Sequence, residues 1–399
     1  MQRRRFIQSS TAALTAGIAG TAVAADEIAD AARRIGRLPR RKLGYSQRDV
    51  SILIGGGDFP QEAIEAGILA GVNFWHKADQ WSADKTPAPQ AILKNREAFI
   101  CQVCADRVNG NHETGKIDAE QHYQFVKAAL KQTGLRYFDD LQFHFGYHSV
   151  AEYKQNRSFI RAFERMKKEG MVRHLGLSQH SYAGNSRVPG GQNAAEILTA
   201  IVEDGLFEYA QFMYTYGDGP AMDKFLAFAR QKNFGTIAMK TTMGLGRMRK
   251  DAALMKKFPA GVSPHNALAR WLTTSTGLTA AVIRVKNVTE LADTYSGAGK
   301  TMRAADRQAM ELMLAHANGE VCRLCNECMP SCPQQIPISD ILRFERYALD
   351  NGDYGVARGL YARLDRRADA CEACGTCLSH CPHGLQIPEK LAATHELLS

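Results

Sequence analysis

Short apolar runs and segments of helical spacing alternate along the chain from about residue 43 to about residue 300. The strand-like runs fall at Val50–Ile54, Val72–Trp75, Ala98–Cys104, Phe138–His144, Val172–Ser178, Tyr209–Tyr214, Gly235–Lys240 and Leu278–Arg284. Helical stretches follow most of them, among them Ala119–Gln132, Glu152–Glu169, Asn193–Glu203 and Ala221–Lys232. Eight strands alternating with helices over roughly 250 residues predict an α/β fold, a (β/α)8 TIM barrel over 43–300. A doubly wound open sheet is the rival topology. Gly55-Gly56-Gly57 follows the first run, but the rest of the G-x-G-x-x-G fingerprint is missing.

Beyond the barrel, the spacing of Met310, Leu312, Met313 and Leu314 makes Met302–His316 amphipathic. It predicts a linker helix, within 301–319, leading to a smaller unit at 320–399. At the other end Arg3-Arg4-Arg5-Phe6-Ile7-Gln8 precedes a weakly apolar run from Ser9 to Ala24. Ala22-Val23-Ala24 offers small residues at the positions a signal peptidase reads. This order resembles a twin-arginine export signal over 1–24, followed by a linker at 25–42. It implies passage through the Tat translocon to the periplasm. The apolar run is too short and too rich in small residues for a stable membrane span.

Composition changes little in this picture. Hydrophobic residues make up 45% and charged residues 23%, an ordinary globular balance. The net charge of +9 is scattered, with only short basic clusters such as Arg37–Lys42. With no recognition motif and no long basic stripe, no nucleic-acid partner is expected.

The cysteines are more specific. Cys322, Cys325, Cys328, Cys332 and Pro333 form one run, and Cys371, Cys374, Cys377, Cys381 and Pro382 form a second. Both read C-x2-C-x2-C-x3-C-P, the spacing of bacterial two-cluster ferredoxins. The close first three cysteines wrap a loop around one cubane, and the proline turns the chain away. In that arrangement the fourth cysteine of each run ligates the other cluster. The expected sets are therefore Cys322, Cys325, Cys328 and Cys381 for one [4Fe–4S] cluster, and Cys371, Cys374, Cys377 and Cys332 for the other. Zinc also takes C-x-x-C pairs, but four cysteines and a proline, twice, fit clusters far better. Similar tails, Gln335-Ile336-Pro337-Ile338 and Leu385-Gln386-Ile387-Pro388, mark an internal repeat in a small α+β ferredoxin-like domain. Export of a folded chain agrees with clusters that must be inserted in the reducing cytosol. Cys101 and Cys104 stand three apart on one strand and point to opposite faces, so they predict buried thiols.

Four segments of the barrel resemble the aldo-keto reductases. Ala70-Gly71-Val72-Asn73-Phe74-Trp75 is similar to that family's second strand, and Gly170–Ser178 to its fifth. Gly235–Lys240 is similar to its seventh strand, and Ala267–Leu272 to the helix before its eighth. The resemblance implies a tyrosine proton donor tuned by a lysine and an aspartate, a histidine that orients the substrate, and NAD(P)H as hydride source. Carried over position by position, the aspartate falls on His76, the tyrosine on Trp81, and the lysine on Val103, or on Cys104 one residue along. The histidine alone is kept, as His144; His76, Trp81 and His144, with His148 or Cys104, are expected to converge at the mouth of the barrel. An indole N–H is far too weak an acid to replace a phenol. On the cofactor side, Tyr214 holds the position that stacks on nicotinamide, and Gln179 replaces an asparagine. Arg284 and Lys286 follow the last strand, where a phosphate would lie. The altered positions, together with export, speak against nicotinamide binding.

Two readings follow. In the first, the chain is an exported iron–sulfur oxidoreductase whose remodelled barrel exchanges electrons with the two-cluster module and acts on a small-molecule substrate. In the second, the barrel is a catalytically silent scaffold, and the protein is an electron carrier that docks on a redox partner protein.

Overall fold

The computed structural model describes residues 22–399, apart from 106–117, 145, 148, 156, 180–193, 218–219, 243, 275 and 326. The arginine pair and His148 lie outside the described residues.

An antiparallel hairpin comes first, β1 (Arg40–Leu43) with β2 (Arg48–Ser51). Eight strands then close a barrel: β3 (Leu53–Gly56), β4 (Phe74–His76), β5 (Ile100–Cys104), β6 (Asp140–Phe143), β7 (His174–Gln179), β8 (Tyr209–Met213), β9 (Gly235–Met239) and β10 (Ala280–Val282). They run in chain order around the ring, β10 pairing with both β9 and β3 in parallel. Each expected apolar run supplies one barrel strand. The first expectation is corrected in detail, because Val50–Ile54 divides between the hairpin and β3. The reason is packing. Leu43 and Val50 are fully buried, and with Ile54, Phe74, Ile100, Tyr209 and Ile237 they form the floor of the barrel. Burying one such side chain contributes roughly 1.5–3 kcal/mol. Arg48 adds an ion pair to Asp140 at 2.7 Å beside that floor.

The segment expected as a linker at 25–42 is instead structured. A helix, α1 (Ala22–Ile35), buries Ile28, Ala31 and Ile35. It packs on α2 (Gln61–Leu69) and on the helix Val288–Tyr295. The stretch Glu152–Glu169 is two helices, Val150–Gln155 and Ser158–Lys168. The linker helix runs from Ala304 to Ala317, with Met310 and Met313 fully buried, and packs on the helix Pro264–Thr274. No helix among the described residues is long and apolar enough to cross a membrane.

The ferredoxin-like region that follows has helices Ile338–Arg346, Tyr354–Tyr361 and Ile387–Leu398, with a π-helical turn at Tyr347–Asn351. Ile336, Ile341, Leu342, Phe344, Leu385 and Ile387 share a core with Cys328 and Cys377. The repeat seen in the sequence is also a repeat of backbone shape. Leu324 and Ala373, each just before the second cysteine of its run, are both left-handed, with φ of 58° and 53°. Three residues after the fourth cysteine, Gln335 and Gly384 are left-handed as well, at 52° and 69°. Such φ values are costly for any residue with a Cβ, so the loop geometry imposes them at Leu324, Ala373 and Gln335.

Candidate active site at the barrel mouth

Strand alternation decides which side chains face the barrel interior. Gln102, Gln142 and Gln211 each sit within an otherwise mostly apolar strand and are buried. With His76 and Tyr209 they form a polar layer above the floor. The His76 Nδ1–H donates to Gln102 Oε1 at 2.5 Å, and Gln102 Nε2 donates to the Tyr209 hydroxyl at 2.6 Å. Gln211 Nε2 lies 3.4 Å from His76 Nε2 and 3.5 Å from the Met239 sulfur. Cys104 donates to Gln142 Oε1 at 3.2 Å. Sequence reasoning missed the three glutamines. Their signal was a lone amide inside an apolar strand, repeated in β5, β6 and β8.

His76 is neutral at physiological pH. Burial, first, and then the Lys77 charge bring its pKa down to about 3, with His144 adding to the same effect. His144 is itself 2% exposed, so the two imidazoles are neighbours in a buried site. A ring that is almost never protonated near pH 7 is a poor source of protons there.

The other expected residues divide. Trp81 is fully buried, its ring 6.2 Å from that of Trp75. Trp75 follows Phe74 and precedes the inward His76, so it points outward, and Trp81 packs with it. Val103 faces outward into the hydrophobic layer, whereas Cys104 faces inward. Cys101 lies on the outward side, and burial pushes its thiol up to about 12.

The residues expected to hold a dinucleotide are engaged elsewhere. The Tyr214 ring stacks on Trp271 at 5.4 Å. Gln179 donates to the Tyr147 carbonyl at 2.9 Å and accepts from its N–H at 3.1 Å. Arg284 pairs with Asp353 at 2.6 Å and with Asp58 at 3.4 Å. Lys286 is exposed. Tyr214, Gln179 and Arg284 thus each have a partner within the fold.

The ferredoxin-like region covers the mouth instead. Leu324, between the first two cysteines, shares a buried apolar cluster with Met213 and Met239 at the ends of β8 and β9, and Cys322 packs against it. Arg323 donates to Thr215 Oγ1 at 2.7 Å. Arg247 binds Asp350 at 2.8 Å and Glu345 at 3.1 Å, all three largely buried. Lys240, just after β9 and left-handed at φ 55°, donates to the Tyr347 hydroxyl at 3.1 Å.

The eight cysteines collect in two groups. Burial pushes the Cys328 thiol up, and Cys322, Cys325 and Cys381 act on it next, with Cys377 after them. Burial also raises Cys377, whose sulfur neighbours are Cys332, Cys371 and Cys374. Cys381 thus lies with the first run and Cys332 with the second. Backbone N–H groups point at the sulfurs: Leu324 at Cys322, 3.3 Å, and Leu385 at Cys381, 3.4 Å. Such donors stabilise ligating thiolates, so this donor set fits iron–sulfur clusters. Among the described residues no three His, Cys, Asp or Glu side chains are placed to hold a single metal ion.

Comparison with known proteins agrees with these two parts. The aldo/keto reductase family matches residues 59–306, and a 4Fe-4S dicluster domain matches residues 321–387. Among solved structures, a putative aldo-keto reductase from Pseudomonas aeruginosa is 15% identical, with 66% of this chain and 97% of that one covered at a TM-score of 0.48. An aldo-keto reductase from Bacillus halodurans in its holo form is 14% identical, covering 69% and 96% at 0.48. One from Bombyx mori in complex with NADP is 15% identical, covering 69% and 93% at 0.48. No curated protein matches at a significant level.

Proposed function

The chain belongs to the aldo/keto reductase family and carries a 4Fe-4S dicluster domain, and from that premise we propose that it is an exported iron–sulfur oxidoreductase that reduces a small molecule with single electrons. Two [4Fe–4S] clusters are proposed, one on Cys322, Cys325, Cys328 and Cys381 and one on Cys371, Cys374, Cys377 and Cys332. When bound, they supply one electron at a time. The observation that carries the reading is the seat of Leu324 and Cys322 on Met213 and Met239, which brings the first cysteine loop against the barrel strands. Cys374, in the second run, is exposed, so a redox partner protein is proposed to dock on that side.

The chain's own residues set the chemistry at the mouth. His76 and His144 line the buried site, and His76 is held in one tautomer by Gln102. The Tyr214, Gln179 and Arg284 contacts support a site without NAD(P)H, and no hydride step is drawn through it. Export to the periplasm rests on Arg3-Arg4 and the small residues Ala22-Val23-Ala24. The scaffold reading keeps one observation in its favour, the absence of a phenol at position 81.

Anaerobic mixing of dithionite-reduced protein with quinones, aldehydes, N-oxides and sulfoxides separates the two readings. We expect at least one acceptor class to reoxidise the clusters at a rate that His144→Ala lowers tenfold or more. Reoxidation by every acceptor at rates indifferent to His144 would make the barrel a scaffold.

A further inference from the structure

We propose that the Tyr347 phenol, held between the Lys240 ammonium and the Arg343 guanidinium, is the proton donor for the reduction at the barrel mouth. This rests on the oxidoreductase reading above. It adds the acid that the barrel itself no longer supplies at position 81.

The geometry is specific. Lys240 Nζ donates to the Tyr347 hydroxyl at 3.1 Å, and Arg343 Nη1 donates to the same oxygen at 3.3 Å. Two cationic donors on one phenol oxygen stabilise the phenolate, which is what a proton donor must become. Lys240 directly follows Met239, whose sulfur touches Gln211 and Ser178 inside the barrel. It therefore stands at the carboxyl end of a barrel strand, where this fold places its chemistry. Both residues are half-buried.

Two backbone features add weight. Lys240 holds a left-handed φ of 55°, an uncommon conformation for a residue with a Cβ. Tyr347 opens the π-helical turn Tyr347–Asn351, an arrangement concentrated at functional sites. The two come from separate modules, 107 residues apart.

The two charges nearest the phenol, Lys240 and Arg343, favour its ionised form. Arg343 is anchored by Asp340, and Arg346 lies on the same helix. Asp350 and Glu345 are already neutralised by Arg247, with Arg346 near Asp350. Burial alone would raise the Tyr347 phenol, but Lys240 and then Arg343 overrule it and bring it down to about 7. Burial lowers the Lys240 ammonium to about 8, against the upward pull of Tyr347. Both groups can thus exchange protons near neutrality.

The step balances as follows. As an acceptor takes one electron from the clusters, the Tyr347 O–H bond breaks and an O–H or N–H bond forms on the acceptor. Lys240 returns a proton to the phenolate and regains one from water. Tyr347 is the catalytic residue, and Lys240 and Arg343 are positioning residues.

Ultraviolet difference titration of the full cluster-loaded chain reads the phenol directly. One tyrosinate should appear near pH 7 in the wild type, vanish in Tyr347→Phe, and move up by at least one pH unit in Lys240→Met. With reduced methyl viologen as donor and the acceptors named above, Tyr347→Phe should lower turnover about 10²-fold or more and remove the neutral inflection of the pH profile. Iron content and the electron paramagnetic resonance signal of the reduced clusters should not change. A wild type lacking the neutral tyrosinate overturns the proposal, whatever the variants do. So does a Tyr347→Phe enzyme with full turnover. No turnover by the wild type with any acceptor sinks the oxidoreductase reading instead, and the donor role with it.

Discussion

Leu324 is fully buried against Met239, joining the first cysteine loop to the end of the seventh barrel strand. The contact makes the ferredoxin-like region part of the barrel's mouth rather than an appendage on a tether. Truncating the side chain leaves the left-handed backbone unchanged and removes only packing. Leu324→Ala is expected to cost about 2–5 kcal/mol. The barrel contains every tryptophan of the chain, so denaturation followed by indole fluorescence reports the loss. An unchanged midpoint would mean that the loop does not rest on β9.

The mouth was only partly legible in the sequence. Eight apolar runs announced eight strands because each buries a strand wholly within the barrel wall, and that pattern survives reading without a structure. The floor was not legible. Leu43 and Val50 sit in strands of four residues, too short for a periodic signal, and their role depends on closing the ring first. The Lys240–Tyr347 contact joins two modules, and no local pattern could announce it. The cysteine runs were legible by their spacing, and the proposed exchange of Cys332 and Cys381 agrees with the sulfurs that lie near Cys328 and Cys377.

Iron content tests the cluster ligands. Cys325→Ser or Cys374→Ser should lower iron from near eight per chain towards four, or to none if the two halves fold only together, because each proposed cluster draws on both runs. The region should also lose stability, as its small core includes Cys328 and Cys377. Iron analysis and the visible spectrum read both effects. A full iron complement in either variant would overturn the assignment.

His265 offers a pH test remote from the clusters. Burial, followed by the Arg249 charge, lowers its pKa from 6.5 to about 4. The unfolded chain therefore binds the extra proton between these values and the native chain does not, so its contribution is complete above pH 6.5 and is lost as pH falls towards 4. The stability difference between wild type and His265→Gln should shrink by up to about 1.4 kcal/mol per pH unit in that window. A difference that stays constant from pH 7 to pH 4 would show that His265 is not buried as a neutral ring.

Export is tested at the arginine pair. Replacing Arg3 and Arg4 by lysine keeps the charge and removes only the side chains that a twin-arginine receptor recognises. Cell fractionation should then find the protein in the cytoplasm. Unaltered export would mean that another route reads the segment.

The central claim, that electrons reach the barrel mouth through the clusters and not from a nicotinamide, meets its most direct test in the choice of electron donor. Steady-state turnover with the same acceptor panel is measured twice, once with reduced methyl viologen and once with NADPH, in the wild type and in Cys325→Ser. Turnover with viologen that is lost in Cys325→Ser, and NADPH oxidation no faster than background, is the result predicted. NADPH-driven carbonyl reduction that persists in Cys325→Ser would contradict it.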